Sequence, residues 1–276
     1  MNATSQGHAS GSYASVNGLD LYYESHGTGK PLVLLHGAFQ TIDALEPLLS
    51  VLAESRQVIA VELQGHGHTA DIDRPLSYEL MADDIAALIT YLGLENADLF
   101  GYSRGGGVAL QTAIRHPDVV RKLVVTSAPC KRDGWYPEVL AGMAAVTAEL
   151  AGTWIGSPMH DAYVSVAPRP EDWPTVADKM GQLLRQEYDW SPGVAALTMP
   201  TLIVVGDADG VRPAHAVEMF QLLGGGTADV GMGAPPASQL AVLPGTTHFT
   251  ILAQTDLLLP IITPFLDAPM PEGSAR

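Results

Sequence analysis

Six short apolar runs, PLVLLHG, QVIAVEL, ADLFGY, RKLVVTS, TLIVVG and QLAVLPG, punctuate the chain, and stretches of helical spacing separate most of them. Apolar runs this short and this continuous fit strands covered on both faces. Between them lie TIDALEPLLSVLAE, YELMADDIAALITYLG, GGGVALQTAIRHP and AHAVEMFQLLGGG, with TILAQTDLLLPIITPFL at the end, each with apolar residues at helical intervals. Buried strands alternating with helices build a mostly parallel central sheet flanked by helices, an α/β architecture. In such sheets reactive groups gather on loops at the carboxyl ends of the strands. Ahead of the alternation, SYASVNGLDLYYESHG predicts a hairpin turning at Asn17 and Gly18.

From Lys131 to Ala196 the rhythm breaks. YPEVLAGMAAVTAELAGTWIG and PEDWPTVADKMGQLLRQEY read as helices with no buried strand between them. The segment 131–196 is therefore expected as a helical insertion after the sixth strand, within a core formed by 1–130 and 197–276. Residues 1–11 are expected as a loose arm, because MNATSQGHASGSY has neither a basic start nor an apolar segment. The Gly, Ala and Pro-rich LGGGTADVGMGAPPAS is expected as a surface loop.

Composition excludes several function classes. The apolar runs fall far short of the roughly 20 residues of a membrane helix. Thirty acidic residues against 14 basic give a net charge of −16 with no basic cluster, so nucleic acid and anionic membranes are unsuitable partners. The only cysteine, Cys130, forms no intrachain disulfide and no multi-thiolate metal site. That agrees with a reducing, cytoplasmic compartment.

The chemistry concentrates in DLFGYSRGGGVAL, where Ser103 stands between an apolar strand and a helix that begins with three glycines. Gly-x-Ser-x-Gly alone is a weak signal in a chain with 28 glycines. Its strand–turn–helix setting is the context that forces a serine hydroxyl into exposed, strained geometry; the plainer reading makes Ser103 a helix cap. A serine needs a base. Of nine histidines, His248 follows a late strand and enters the last helix, within reach of Ser103 across the strand ends. His36 lies close to the same place, but its neighbouring glycine points to a loop-shaping role, and His66 is expected to hydrogen-bond the GHGHT loop. A carboxylate must fix the histidine tautomer. Asp207 and Asp209 both follow TLIVVG; Asp209 is preferred and Asp207 is expected to brace the loop.

LLHGAF, GHGHT, GYSRGGG, GDADGVRP and GTTHF, in this order, resemble the α/β-hydrolase superfamily, in its branch of small lid-bearing serine esterases and lactonases, from about Ser12 to Phe265. The resemblance implies Ser103 as nucleophile, Asp209 as acid and His248 as base, with an oxyanion hole from the amides of Ala38 and Arg104 and with Phe39 as a second candidate. It implies no cofactor and no metal. The chain departs from the family at Glu62, where Asp is frequent, and at Arg104, where a neutral residue is frequent. The Arg104 guanidinium is expected in a structural ion pair, since a buried Arg requires one. A serine nucleophile separates the chain from the haloalkane dehalogenases and epoxide hydrolases of this fold.

As a lid, the insertion holds Trp135, Tyr136, Met143, Trp154, Met159 and Tyr163, about half of them expected as the lid's own core and the rest as an apolar acyl pocket. The expected partner is a small-molecule ester or lactone, acyl-homoserine lactones included, acted on by a monomer or homodimer. A carbon–carbon bond hydrolase or cofactor-free perhydrolase would use the same triad, and a ligand receptor would keep the fold without turnover.

Overall fold

The computed structural model describes residues 11–227 and 237–271. The expected loose arm, all but Gly11, and most of the Gly-rich loop lie outside them. β1 (Ser12–Val16) and β2 (Leu19–His26) form the expected hairpin, with Val16 opposite Leu19. Asn17 and Gly18 both take positive φ, 50° and 78°, as a two-residue hairpin turn demands.

Six further strands follow: β3 (Lys30–Leu35), β4 (Arg56–Val61), β5 (Ala97–Tyr102), β6 (Val120–Thr126), β7 (Thr201–Ala208) and β8 (Gln239–Thr247). The sheet order is β1-β2-β4-β3-β5-β6-β7-β8. β2 meets β4 antiparallel, and all pairings from β4 to β8 are parallel. The helices are α1 (Glu46–Leu52), α2 (Tyr78–Tyr91), α3 (Arg104–Arg115), α4 (Pro137–Ala144), α5 (Ala148–Gly152), α6 (Pro158–Val166), α7 (Trp173–Leu184), α8 (Ser191–Ala195), α9 (Pro213–Leu222) and α10 (Thr255–Asp267).

Side-chain alternation along each strand divides the core in two. Val33, Leu35, Val125 and Ile203 pack with Met81 and Ile85 of α2, Val108 of α3 and Met219 of α9. Leu32, Leu34, Val124 and Leu202 pack on the other face with Leu48 of α1 and Leu258 and Ile262 of α10. That face also takes in Lys122, whose Nζ donates to the carbonyls of Phe265 at 2.7 Å and Leu266 at 3.2 Å, near the end of α10.

Helices α4–α8 are inserted after the sixth strand. Both ends of the insertion are tied to the core. The Trp190 amide donates to Cys130 O at 2.8 Å and the Arg132 amide to Tyr188 O at 3.0 Å, so the entering and leaving strands of chain are stitched together. The Tyr136 amide donates to Gly210 O at 3.0 Å and the Arg212 amide to Gly134 O at 2.9 Å, which fastens Trp135 beside the loop after β7. No described helix is long and apolar enough to cross a membrane.

Candidate active site

Ser103 joins β5 to α3 with φ 53° and ψ −119°, a conformation rare outside glycine. The turn is possible because its neighbours lack side chains. A Cβ at Gly101 would lie 2.2 Å from Gly105 O, and one at Gly105 would lie 2.4 Å from Leu35 O. The Ser103 side chain makes no helix-cap bond, so the plainer reading of this serine as a cap is set aside. Its Oγ lies 3.0 Å from His248 Nε2, and His248 Nδ1 lies 2.7 Å from Asp209 Oδ1. A carboxylate only accepts, so Nδ1 carries the proton and Nε2 is left to accept from the Ser103 hydroxyl.

Asp209 is buried and held from several sides. Ser127 Oγ donates to its Oδ2 at 2.5 Å, with the Gly206 amide at 3.2 Å, and the Val211 amide reaches Oδ1 at 3.1 Å. Burial pushes its carboxyl up, but the hydrogen bond and charge of His248, with Ser127 and Val211, bring it below the ordinary range. Asp207 faces elsewhere: its Oδ1 accepts from the Thr246 amide at 3.1 Å and braces the end of β8. Tyr102 OH donates to His248 O at 2.6 Å and so fixes the backbone of the loop that carries the imidazole. The Trp135 ring stands edge-on to His248 at 5.5 Å.

Opposite Ser103 lies the loop after β3, pinned by two histidines. His36 Nδ1 lies 2.7 Å from Gly37 O, and its Nε2 accepts from the Leu63 amide at 3.1 Å. His66 Nδ1 lies 2.9 Å from Gln64 O, and its Nε2 accepts from the Phe39 amide at 3.1 Å. In each ring one nitrogen faces a carbonyl and the other faces an N–H, which requires the neutral form. Burial, reinforced by the charge of Arg104, lowers His36 to about 3 and carries His66 well below its ordinary value. The Phe39 amide, expected as a second oxyanion donor, is therefore occupied by His66. The amides of Ala38 and Arg104 donate to no protein acceptor among the described residues.

The ion pair expected for Arg104 is absent among the described residues. Its guanidinium is buried, with Nη1 3.7 Å from Met81 Sδ and with Nε and Nη2 unpartnered. Burial lowers its pKa to about 10, against a small opposing effect of Tyr78.

A sequence model described as the alpha/beta hydrolase fold matches residues 30–158. The 2-(acetamidomethylene)succinate hydrolase of Mesorhizobium japonicum is 29% identical over 271 residues, covering 91% of this chain and 92% of that protein. The solved esterase EaEST from Exiguobacterium antarcticum superposes with a TM-score of 0.72 at 25% identity, covering 94% of this chain and all of that one. The enol-lactonase from Burkholderia xenovorans LB400 superposes with a TM-score of 0.70 at 20% identity, over 93% of this chain and all of that one. This chain has the α/β-hydrolase fold.

Within this fold the expected pocket residues divide. Trp135 stands against His248, whereas Tyr136 and Met159 are exposed and Met143 packs half-buried on the main core. Trp154 and Tyr163 belong to the aromatic cluster of the insertion around Trp173, which reaches the site through the ring of Phe39. Ser127 and Tyr102 were missed in the sequence. A serine at the carboxyl end of a buried strand was the available signal for Ser127, which takes φ 54° to reach Asp209.

Proposed function

We propose that this protein is a serine hydrolase that cleaves carboxylic esters or lactones bearing uncharged, apolar acyl groups, through an acyl-enzyme intermediate. The observation that carries the reading is the unbroken hydrogen-bonded sequence from Ser103 through His248 to Asp209, beginning at a strained serine. Ser103 Oγ attacks the carbonyl carbon as His248 Nε2 takes the hydroxyl proton, and Asp209 stabilises the imidazolium. The carbonyl oxygen becomes an oxyanion facing the amides of Ala38 and Arg104, with the latter at the first turn of α3, where a helix supplies donors of its own. Collapse expels the alcohol oxygen, which takes the proton from His248. Water then repeats the sequence on the acyl-enzyme and frees Ser103. In a lactone the expelled alcohol stays attached to the acyl chain, and the product is one hydroxy acid.

The similarity to a solved esterase and to an enol-lactonase supports ester and lactone chemistry together. Helices α4–α8 serve as the lid in this reading, with Trp135 as the aromatic wall next to His248. The test is a panel of chromogenic esters and lactones with wild type and Ser103→Ala, joined to labelling by a fluorophosphonate. Folded Ser103→Ala should lose turnover by at least about a thousandfold and take up no label. Near-normal turnover by that variant would end the serine mechanism.

A further inference from the structure

The loop that presents the Ala38 amide is held at both of its peptide planes by groups the reaction does not consume. Gly37 O and the Ala38 N–H share one planar, trans peptide unit, so they point in opposite directions. His36 Nδ1 holds Gly37 O at 2.7 Å, which aims the Ala38 N–H away from His36. The next peptide plane is held by the bond from the Phe39 amide to His66 Nε2 at 3.1 Å. Phe39 itself sits at φ 56°, in the left-handed region that favours glycine. A phenylalanine there needs its surroundings to keep it in place.

Those surroundings belong to the insertion. The Phe39 ring is 5.6 Å from Trp154, edge-on, and 5.6 Å from Trp173, tilted. Trp173 is anchored in turn, with Nε1 donating to Ala151 O at 3.1 Å and with its ring 5.2 Å from Tyr163. The void left between Phe39, His66, Tyr163 and Trp173 is about 10 Å³, no more than a single water needs. Ring and insertion are thus in direct contact, with no room for a ligand between them.

We propose that Phe39 is a positioning residue that couples the helical insertion to the oxyanion site: Trp154 and Trp173 hold its ring, His66 holds its amide, and together they aim the Ala38 N–H. This rests on the oxyanion assignment made above. It follows that the insertion contributes to the rate of the chemical step as well as to substrate affinity. Displacement of the aromatic cluster should turn the Ala38 amide before it exposes Ser103.

The experiment uses an acetate ester and methylboronic acid, whose tetrahedral serine adduct places an oxygen where the oxyanion forms. Wild type, Ser103→Ala, Phe39→Ala, Trp154→Ala, Phe39→Ala with Trp154→Ala, His66→Phe and His66→Gln are compared, with melting curves to establish folding. Folded Phe39→Ala and His66→Phe should lose kcat by at least about tenfold with KM within about threefold, and boronate affinity should fall by the same factor as kcat, as for loss of an oxyanion donor. His66→Gln, whose amide oxygen accepts the Phe39 N–H, should recover much of the loss. Trp154→Ala should add little to Phe39→Ala, because both break one connection. Unchanged kcat in the folded variants, boronate affinity that does not follow kcat, or Trp154 and Phe39 losses that multiply would overturn the coupling. A wild type lacking serine-dependent turnover would instead remove the proposed function, and this inference with it.

Discussion

Asp209 accepts from His248, Ser127, Gly206 and Val211, and that set of donors explains why two aspartates separated by one residue differ. An amide at position 209 would turn a donor toward groups that already donate and would favour the wrong imidazole tautomer. Asp209→Asn is expected to lower kcat by roughly 10⁴. Asp207 accepts backbone amides at the end of β8, and those bonds from Gly245 and Thr246 hold its carboxyl below the ordinary range. Its replacement by Asn should leave kcat within about threefold, since an amide oxygen still accepts from an N–H. Steady-state kinetics on the two folded variants decide, and equal losses would move the acid to Asp207. Ser127→Ala should fall between them, at a loss of about tenfold or less, because it removes one of several bonds that orient the carboxylate.

At the scale of elements, what could be read from sequence is what local rules determine. Strand period, glycine stops and the Asn17–Gly18 turn depend on neighbours in the chain, and the alternation they produce brings Ser103, Asp209 and His248 together at the carboxyl ends of β5, β7 and β8. Pairings across long separations were not legible. Nothing near Arg104 in sequence shows that its guanidinium meets Met81 Sδ and, among the described residues, no carboxylate, and nothing near Phe39 shows that its amide meets His66. The insertion was legible as helices, but its aromatic residues were not sortable, because what separates Trp135 from Trp154 is contact across long separations, with His248 for one and with Phe39 and Trp173 for the other. Trp135 carries the consequence. It is fastened through the bonds of Tyr136 and Arg212 to the loop after β7, and its Nε1 donates to Tyr188 OH at 3.2 Å. If it walls the acyl pocket, Trp135→Ala should shift the preferred acyl chain length while an acetate ester still reacts. Each methylene buried in a pocket contributes about 0.8 kcal/mol, so the shift should appear as several-fold changes in kcat/KM per carbon. A chain-length profile identical to wild type would place the acyl wall elsewhere.

Over the whole molecule, the same burial that orders the site sets how stability responds to acid. His36 is fully buried and its pKa is lowered from 6.5 to about 3, chiefly by burial and then by the charge of Arg104. In the unfolded chain it takes up a proton near 6.5, whereas in the folded chain it stays neutral. Between those values the unfolded state therefore binds more protons, so stability rises with pH through this window and is lost as pH falls. His66 acts in the same direction. Glu62, Asp84 and Asp98 oppose them, because burial raises each carboxyl and lets the folded state bind protons first. The sum is mixed, but the part due to His36 is separable. His36→Gln keeps an oxygen to accept the Leu63 N–H and an amide to reach Gly37 O, yet has nothing to titrate. Denaturant unfolding of wild type and variant at several pH values between 6 and 4 should give a slope of stability against pH that is shallower in the variant by up to ~1.4 kcal/mol per pH unit. Equal slopes would mean that His36 is protonated in the folded protein. In that case its Nε2 does not accept from Leu63, and the loop that presents Ala38 is held in some other way.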